Sequence, residues 1–288
     1  MMKMSLLTNS LTDVGLKDLH PIADWAAENG IYALDVGPAI AMDRNAFEEV
    51  LGQGKITINA MIYCRNFLSE DPEEAQMHQQ ALKERIRFAG ALGIDKMVCS
   101  TGVTKDAFVG MGFQPEKSLA ACVELAKVFL EEAEKYNVRL CWENCPMMGN
   151  IATSPDMWQA LFEQLDSDRI GLCYDPSHLV WQGIDPYENI FQFKDKIFLV
   201  HAKDTHVDHK KLNRCGVLQN SKWWQHRLPG LGDLDWNRIV DSLYQMPRSG
   251  LKTAPFTPSL PATISPPTVR FVLNSVAKRV QFFSRRTW

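Results

Sequence analysis

Three short apolar runs, each stopping on a polar side chain that can bind a cation, constrain this chain more than any other feature. They lie at 138–145 (VRLCWENC), 170–178 (IGLCYDPSH) and 197–204 (IFLVHAKD). Strands buried on both faces of a parallel sheet read as such unbroken apolar runs. The runs stop at Glu143, Asp175 and His201 in turn. In a β/α barrel the C-terminal strand ends converge on one mouth. Two carboxylates and an imidazole on successive strand ends are therefore placed to surround one divalent cation.

The rest of the body fits that frame. Short apolar runs at 4–8, 33–36, 56–62, 96–100, 138–142, 171–174 and 197–201 alternate with helical patterns near 17–29, 43–52, 72–92, 116–136, 155–166, 186–194 and 235–246. Such alternation is the signature of βα units on a parallel sheet. Asp71-Pro72-Glu73-Glu74 and Gln114-Pro115-Glu116 open helices in the expected way, with proline early and acids in the first turn. The spacing predicts an α/β fold of (β/α)8 barrel type over residues 1–246. Seven units are recognisable and the eighth is absent or malformed, which leaves the first and seventh strands as exposed edges.

The pattern stops near Met246. Residues 247–288 hold six of the fifteen prolines, and Pro255, Pro258 and Pro261 exclude a central strand there. Within this segment only 269–283 has a helical pattern. Residues 242–288 carry seven Lys/Arg and no acid. The tail is either a natural basic, proline-rich extension or the product of a shifted reading frame, and the abrupt change favours the second. The net charge of −3 thus hides an acidic body, which argues against a nucleic-acid-binding surface.

No apolar run approaches the ~20 residues that span a bilayer, and the first residues lack the pattern of a signal peptide. Seven cysteines with no paired spacing suggest reduced thiols that pack as small hydrophobes. A cytoplasmic protein is expected.

Each candidate residue also has an ordinary reading. Glu143 alone is a solvated loop carboxylate, Asp175-Pro176 a turn or helix cap, and His201 a satisfied core histidine beside a Lys203–Asp204 ion pair. Trp142, Tyr174, Trp181, Trp223 and Trp224 are either a wall for a sugar ring or packing under long loops. LPGLGDLDW lacks the three-glycine dinucleotide spacing and reads as a glycine-rich loop leading into a helix capped near Asp235.

The segments WENCP (142–146), YDPSH (174–178), VHAKDT (200–205), LNRCG (212–216) and WWQHRLPGLGDLDW (223–236) together resemble the sugar phosphate isomerase/epimerase family of xylose-isomerase-like barrels. The resemblance runs from about Thr8 to Gln245. It implies a divalent cation (Mn, Mg, Co or Zn, which the donor set does not distinguish) held by Glu143, Asp175 and His201. It implies Glu143 as the catalytic base and His178 and Arg227 as substrate contacts, and Lys203 and Trp142, by their places near the strand ends, are further candidate substrate contacts. The family's fourth ligand, a glutamate on the eighth strand, has no counterpart, since Glu188 is the last glutamate in the chain.

The function so implied is a metal-dependent isomerase or epimerase of a small sugar, ketose or polyol, phosphorylated or not. It would move a proton at the carbon beside a polarised carbonyl, and the missing glutamate would impair it. An inactive sugar-binding barrel is the alternative. An endonuclease-IV-type nuclease fits less well, because Cys64 and Cys99-Ser100-Thr101 stand where such enzymes carry histidines. The expected partner is a small sugar, with no nucleic acid and no membrane, and a homo-oligomer is compatible with the family.

Overall fold

In this computed structural model, residues 3–110, 112–147, 149–219 and 222–245 are described, together with the backbone of 270–273. Eight parallel strands close into a barrel. They are β1 (Lys3–Leu7), β2 (Ala33–Val36), β3 (Thr57–Tyr63), β4 (Lys96–Cys99), β5 (Arg139–Glu143), β6 (Ile170–Tyr174), β7 (Ile197–Ala202) and β8 (Arg270–Leu273). The seven units legible in the sequence are all present.

The eighth position corrects two expectations. Arg270–Leu273 pairs with β1 (Lys3 opposite Arg270) and with β7 (Val272 opposite His201). The first and seventh strands are therefore not open edges. The helical pattern at 269–283 gives way to a strand over these four residues, and the remainder of that span lies outside the described residues. A short RFVL run fits a gap whose two neighbours already offer unpaired backbone groups. It brings no acid with it.

Side chains alternate across each strand, and this divides the core in two. Leu140, Trp142, Leu172, Tyr174 and Val200 face outward into the large core shared with the helices. Leu7, Ala60, Ile62, Val98, Cys141, Cys173 and Leu199 fill the barrel interior. The interior residues are small or of middle size, as eight inward-pointing strands require. All seven cysteines are free thiols.

Helix Pro72–Ala91 begins where the Asp71 carboxylate accepts from the Glu73 and Glu74 N–H groups, which satisfies two otherwise orphaned donors. Its Arg87 forms a two-pronged ion pair with Glu132 of helix Leu119–Lys135 at 2.7 and 2.9 Å. Among the described residues no helix is long and apolar enough to cross a membrane.

Beyond β7 the chain continues into an antiparallel hairpin, Asp204–Val207 against Trp224–Arg227. This hairpin rises over the mouth of the barrel and was not legible in the sequence.

Candidate metal centre

The two-residue period of the strands builds the site. Cys141, Cys173 and Leu199 form one interior layer on β5, β6 and β7. Two residues further on, Glu143, Asp175 and His201 form the next layer, at the C-terminal mouth. One ligand atom from each lies within 4.8 Å of the others. Asp175 and His201 are fully buried, with side-chain exposures of 0% and 1%, and Glu143 keeps 12% of its side chain exposed.

Local chemistry fixes each member. At Asp175 the strand meets Pro176, which has no N–H to continue the ladder and instead opens helix Pro176–Gln182. Asp175 Oδ1 caps that helix by accepting from the Ser177 N–H at 3.0 Å and from its hydroxyl at 2.5 Å. Asn144 clamps the Asp175 backbone from the neighbouring strand, accepting from its N–H at 2.7 Å and donating to its carbonyl at 2.9 Å. Asn150 donates to the carbonyls of Glu143 and Cys145 at 2.8 and 3.0 Å. These two asparagines hold the ligand-bearing strand ends, and nothing in the sequence distinguishes them from ordinary loop residues.

Around the ligands lies a network of charged and polar contacts. Glu143 Oε1 and His201 Nδ1 are 2.9 Å apart. Lys203 Nζ sits 2.8 Å from Asp175 Oδ2 and 2.8 Å from His178 Nε2, and that imidazole nitrogen is itself 3.5 Å from Asp175 Oδ2. The alternative Lys203–Asp204 pairing is thereby excluded.

Burial opposes ionisation of Glu143, but the charge and hydrogen bond of His201, with the Lys203 ammonium, prevail and hold its carboxyl far below the usual range. Burial likewise works against a charged His201, yet Glu143 raises it. Asp175 is lowered because Lys203 outweighs its burial. His178 goes the other way, to about 4, because burial dominates.

These residues fit a divalent cation. Two ionised carboxylates and an imidazole are a hard-to-borderline donor set. His201 Nε2 is buried without a hydrogen-bond partner, although buried imidazole nitrogens are normally paired. Its other nitrogen already meets a carboxylate, the orientation that metal-ligating histidines generally have. Lys203 already offsets part of the charge of the two carboxylates, and a divalent cation would offset the remainder.

The remaining sequence candidates are divided by the fold. His178 joins the cluster, and its Nδ1 is buried and unpartnered. Lys203 joins it as the partner of Asp175. Arg227 lies on the hairpin opposite Asp204, half-buried, with its guanidinium donating to the His226 carbonyl at 3.3 Å. Trp142 is corrected: it stacks on Phe162 at 6.0 Å between ring centres, in the outer core. Strand alternation explains this, since residues 141 and 143 point inward and 142 must point out. Cys64, which the sequence did not single out as a ligand, places its thiol 3.8 Å from Glu143 Oε2. His226 was missed as well, and its ring meets the His178 ring edge-on at 5.4 Å.

The glycine-rich loop has a structural task. Asp204, fully buried, accepts five hydrogen bonds: from Thr205 and Leu234 N–H at Oδ1, and from Gly230 N–H, Gly232 N–H and the Trp236 indole at Oδ2. A Cβ at Gly232 would stand 2.2 Å from Asp204 Oδ1, so only glycine lets the backbone wrap this carboxylate. The wrapped loop then delivers Asp235, whose carboxylate caps helix Trp236–Gln245 at Asn237 and Arg238.

The profile of the xylose isomerase-like TIM barrel family matches residues 23–255. The chain belongs to that family. YfiH of Bacillus subtilis strain 168, an uncharacterized protein, is 24% identical over 292 residues, covering 85% of this chain and 89% of that one. An inosose dehydratase of Clostridium tetani is 28% identical over 114 residues, which is 38% of each chain. Among solved structures, the IolI protein with a bound zinc atom superposes with a TM-score of 0.66 at 16% identity, over 94% of this chain and 88% of that one. L-ribulose 3-epimerase superposes with a TM-score of 0.64 at 18% identity, over 96% and 83%. At such identities the superpositions speak for the fold alone.

Proposed function

We propose that this barrel is a metal-dependent isomerase or epimerase of a small sugar, ketose or polyol. The observation that carries the reading is the buried Glu143–Asp175–His201 cluster at the barrel mouth, with His201 Nε2 unpartnered. The epimerase and zinc-bearing structures with the same fold support it. Glu143, Asp175 and His201 would hold the cation. When bound it would act as a Lewis acid, polarising the oxygens of a carbonyl and its neighbouring hydroxyl.

The protein's own groups define the rest. Glu143 is kept ionised and can accept a proton from the carbon beside that carbonyl. His178, neutral with a free buried Nδ1, is placed to meet a substrate oxygen. Lys203 holds Asp175 and His178 in position, and Arg227, carried on the hairpin, would contact a substrate oxygen. Residues 270–273 bring no second carboxylate to the opposite face. Proton removal and return on one face suffices for isomerisation, whereas inverting a carbon calls for a second group. Activity below that of relatives with four ligands is therefore expected.

Dehydration is the second reading, favoured by the same single-base arrangement and by the inosose dehydratase similarity. A substrate in the cytoplasm, with no nucleic acid or membrane partner, accords with the acidic body.

The test is turnover of a panel of ketoses, aldoses and inososes with added Mn²⁺ or Zn²⁺, followed by NMR in deuterated water. Isomer formation with deuterium at the carbon next to the carbonyl supports the proposal, and loss of water from an inosose supports the second reading. No turnover alongside tight sugar binding would mean an inactive sugar-binding barrel, and cleavage of abasic DNA would mean a nuclease.

A further inference from the structure

His226, whose ring meets that of His178 at 5.4 Å, also lines an open cleft of about 610 Å³ formed by the second hairpin strand, the loop before it and Trp181. That is within the ~300–1,000 Å³ range of pockets that hold drug-sized ligands, and more than a single small sugar at the buried cluster calls for. One wall is a parallel aromatic stack, Trp181 on Trp224, with ring centres 4.6 Å apart and planes 4° from parallel. Trp224 leads directly to His226, with ring centres 4.9 Å apart. Val217 and Leu218 also line the cleft and are 69% and 74% exposed. Exposed aliphatic side chains beside a half-buried aromatic pair form an apolar surface that is open among the described residues.

Trp181 Nε1 and His226 Nδ1 are buried without partners, and buried donors and acceptors of this kind are normally satisfied. Gln219 and Gln225 add neutral amides, and among the described residues Lys222 is the one charged side chain in the lining. Lys222 also adopts a φ of 49°, a strained backbone for a non-glycine residue and of the kind found near binding sites. A lining with one charge does not suit a polyphosphate or nucleic acid. Flat aromatic faces flanked by amides suit a ring with one apolar face and hydroxyl edges.

We propose that this cleft holds a second, uncharged sugar ring linked to the sugar that reaches Glu143, Asp175 and His201, so that the preferred substrate is a disaccharide or other glycoside. The proposal rests on the sugar-acting reading above and extends it from the reacting ring to the remote one. Remote binding of this kind is where an enzyme with an incomplete ligand set can recover affinity and orientation.

The experiment titrates the metal-free protein with cellobiose and with glucose, read by tryptophan fluorescence, so the cleft is measured without the cation. Cellobiose is expected to bind at least about tenfold more tightly than glucose, the scale of one good aromatic contact plus its buried area. Trp224→Ala is expected to remove most of that advantage and leave glucose unaffected. Leu218→Ser, at an exposed position that does not endanger folding, is expected to reduce it as well. Equal affinities for the two sugars, or an advantage that survives both substitutions, would overturn the proposal. Mn²⁺ binding is measured on the same preparation by calorimetry. Cellobiose binding that depends on Trp224 without any Mn²⁺ binding would uphold the cleft and refute the metal-dependent reading, so the two can fail separately.

Discussion

Glu143 and His201, on strands separated by β6, meet across the barrel mouth at 2.9 Å between Oε1 and Nδ1. The contact does two things at once. It keeps a largely buried carboxylate ionised, and it orients the imidazole so that its other nitrogen is left without a partner. A protein that only needed an ion pair for stability would gain little from that orphaned nitrogen, because buried pairs rarely repay their desolvation.

Lys203 is expected to matter most when no cation is present. Its ammonium is the closest positive charge to Asp175, and removing one partner of a buried pair typically costs about 3–5 kcal/mol. Lys203→Met should therefore be destabilised by that order in urea denaturation of metal-free protein. Added Mn²⁺ should restore more stability to the variant than it adds to the wild type, since the cation replaces the missing charge. A variant as stable as the wild type without metal would show that Asp175 is not ionised.

Asp204 is expected to be a structural residue despite its place in a segment rich in site residues. Asp204→Asn replaces an acceptor-only group by one whose NH₂ must face backbone donors. Losing two or more hydrogen bonds to a charged acceptor corresponds to roughly 3 kcal/mol or more. Thermal denaturation should show that loss, while Mn²⁺ affinity falls only as far as the hairpin loosens. An unchanged melting temperature would contradict the arrangement.

Acid sensitivity should follow the Arg87–Glu132 pair between two helices. The hydrogen bonds from Arg87 lower the Glu132 carboxyl below its ordinary value. A group lowered on folding adds stability above its unfolded pKa and loses it as the pH falls through the folded value. The stability gap between wild type and Glu132→Gln should accordingly be widest near neutral pH and shrink on acidification. A gap that does not change with pH would mean that the pair adds no stability through ionisation.

The segment after residue 246 is expected to be needed for a soluble barrel, because its Arg270–Leu273 strand pairs with both β1 and β7. A chain ending at residue 246 would expose two strand edges. It should elute as aggregate in size-exclusion chromatography. A monomeric, cooperatively unfolding 1–246 chain would show that residues 1–246 form the complete domain and the eighth strand is dispensable.

The parts of this architecture that were legible in the sequence are those set by period and punctuation. Glu143, Asp175 and His201 announced themselves because each follows an apolar strand by a fixed step, and Asp71 and Pro176 mark helix starts by chemistry that acts locally. Trp142 shows how the same periodicity can be under-used: it precedes Glu143 by one residue and so must face the opposite side. Asn144, Asn150 and Asp204 were not legible, since each makes hydrogen bonds to backbone groups 26 to 49 residues away, which no local pattern encodes. The closing strand was hidden for a related reason. RFVL is short and follows a proline-rich stretch, and it becomes a strand through two preformed neighbours rather than through its own pattern.

The most direct measurement is a calorimetric titration of the purified 288-residue protein with Mn²⁺, beside Glu143→Gln. Micromolar binding by the wild type at one site, absent from the variant, is the expected result. No binding by the wild type, or binding of equal strength in the variant, would contradict a metal centre built on Glu143, Asp175 and His201.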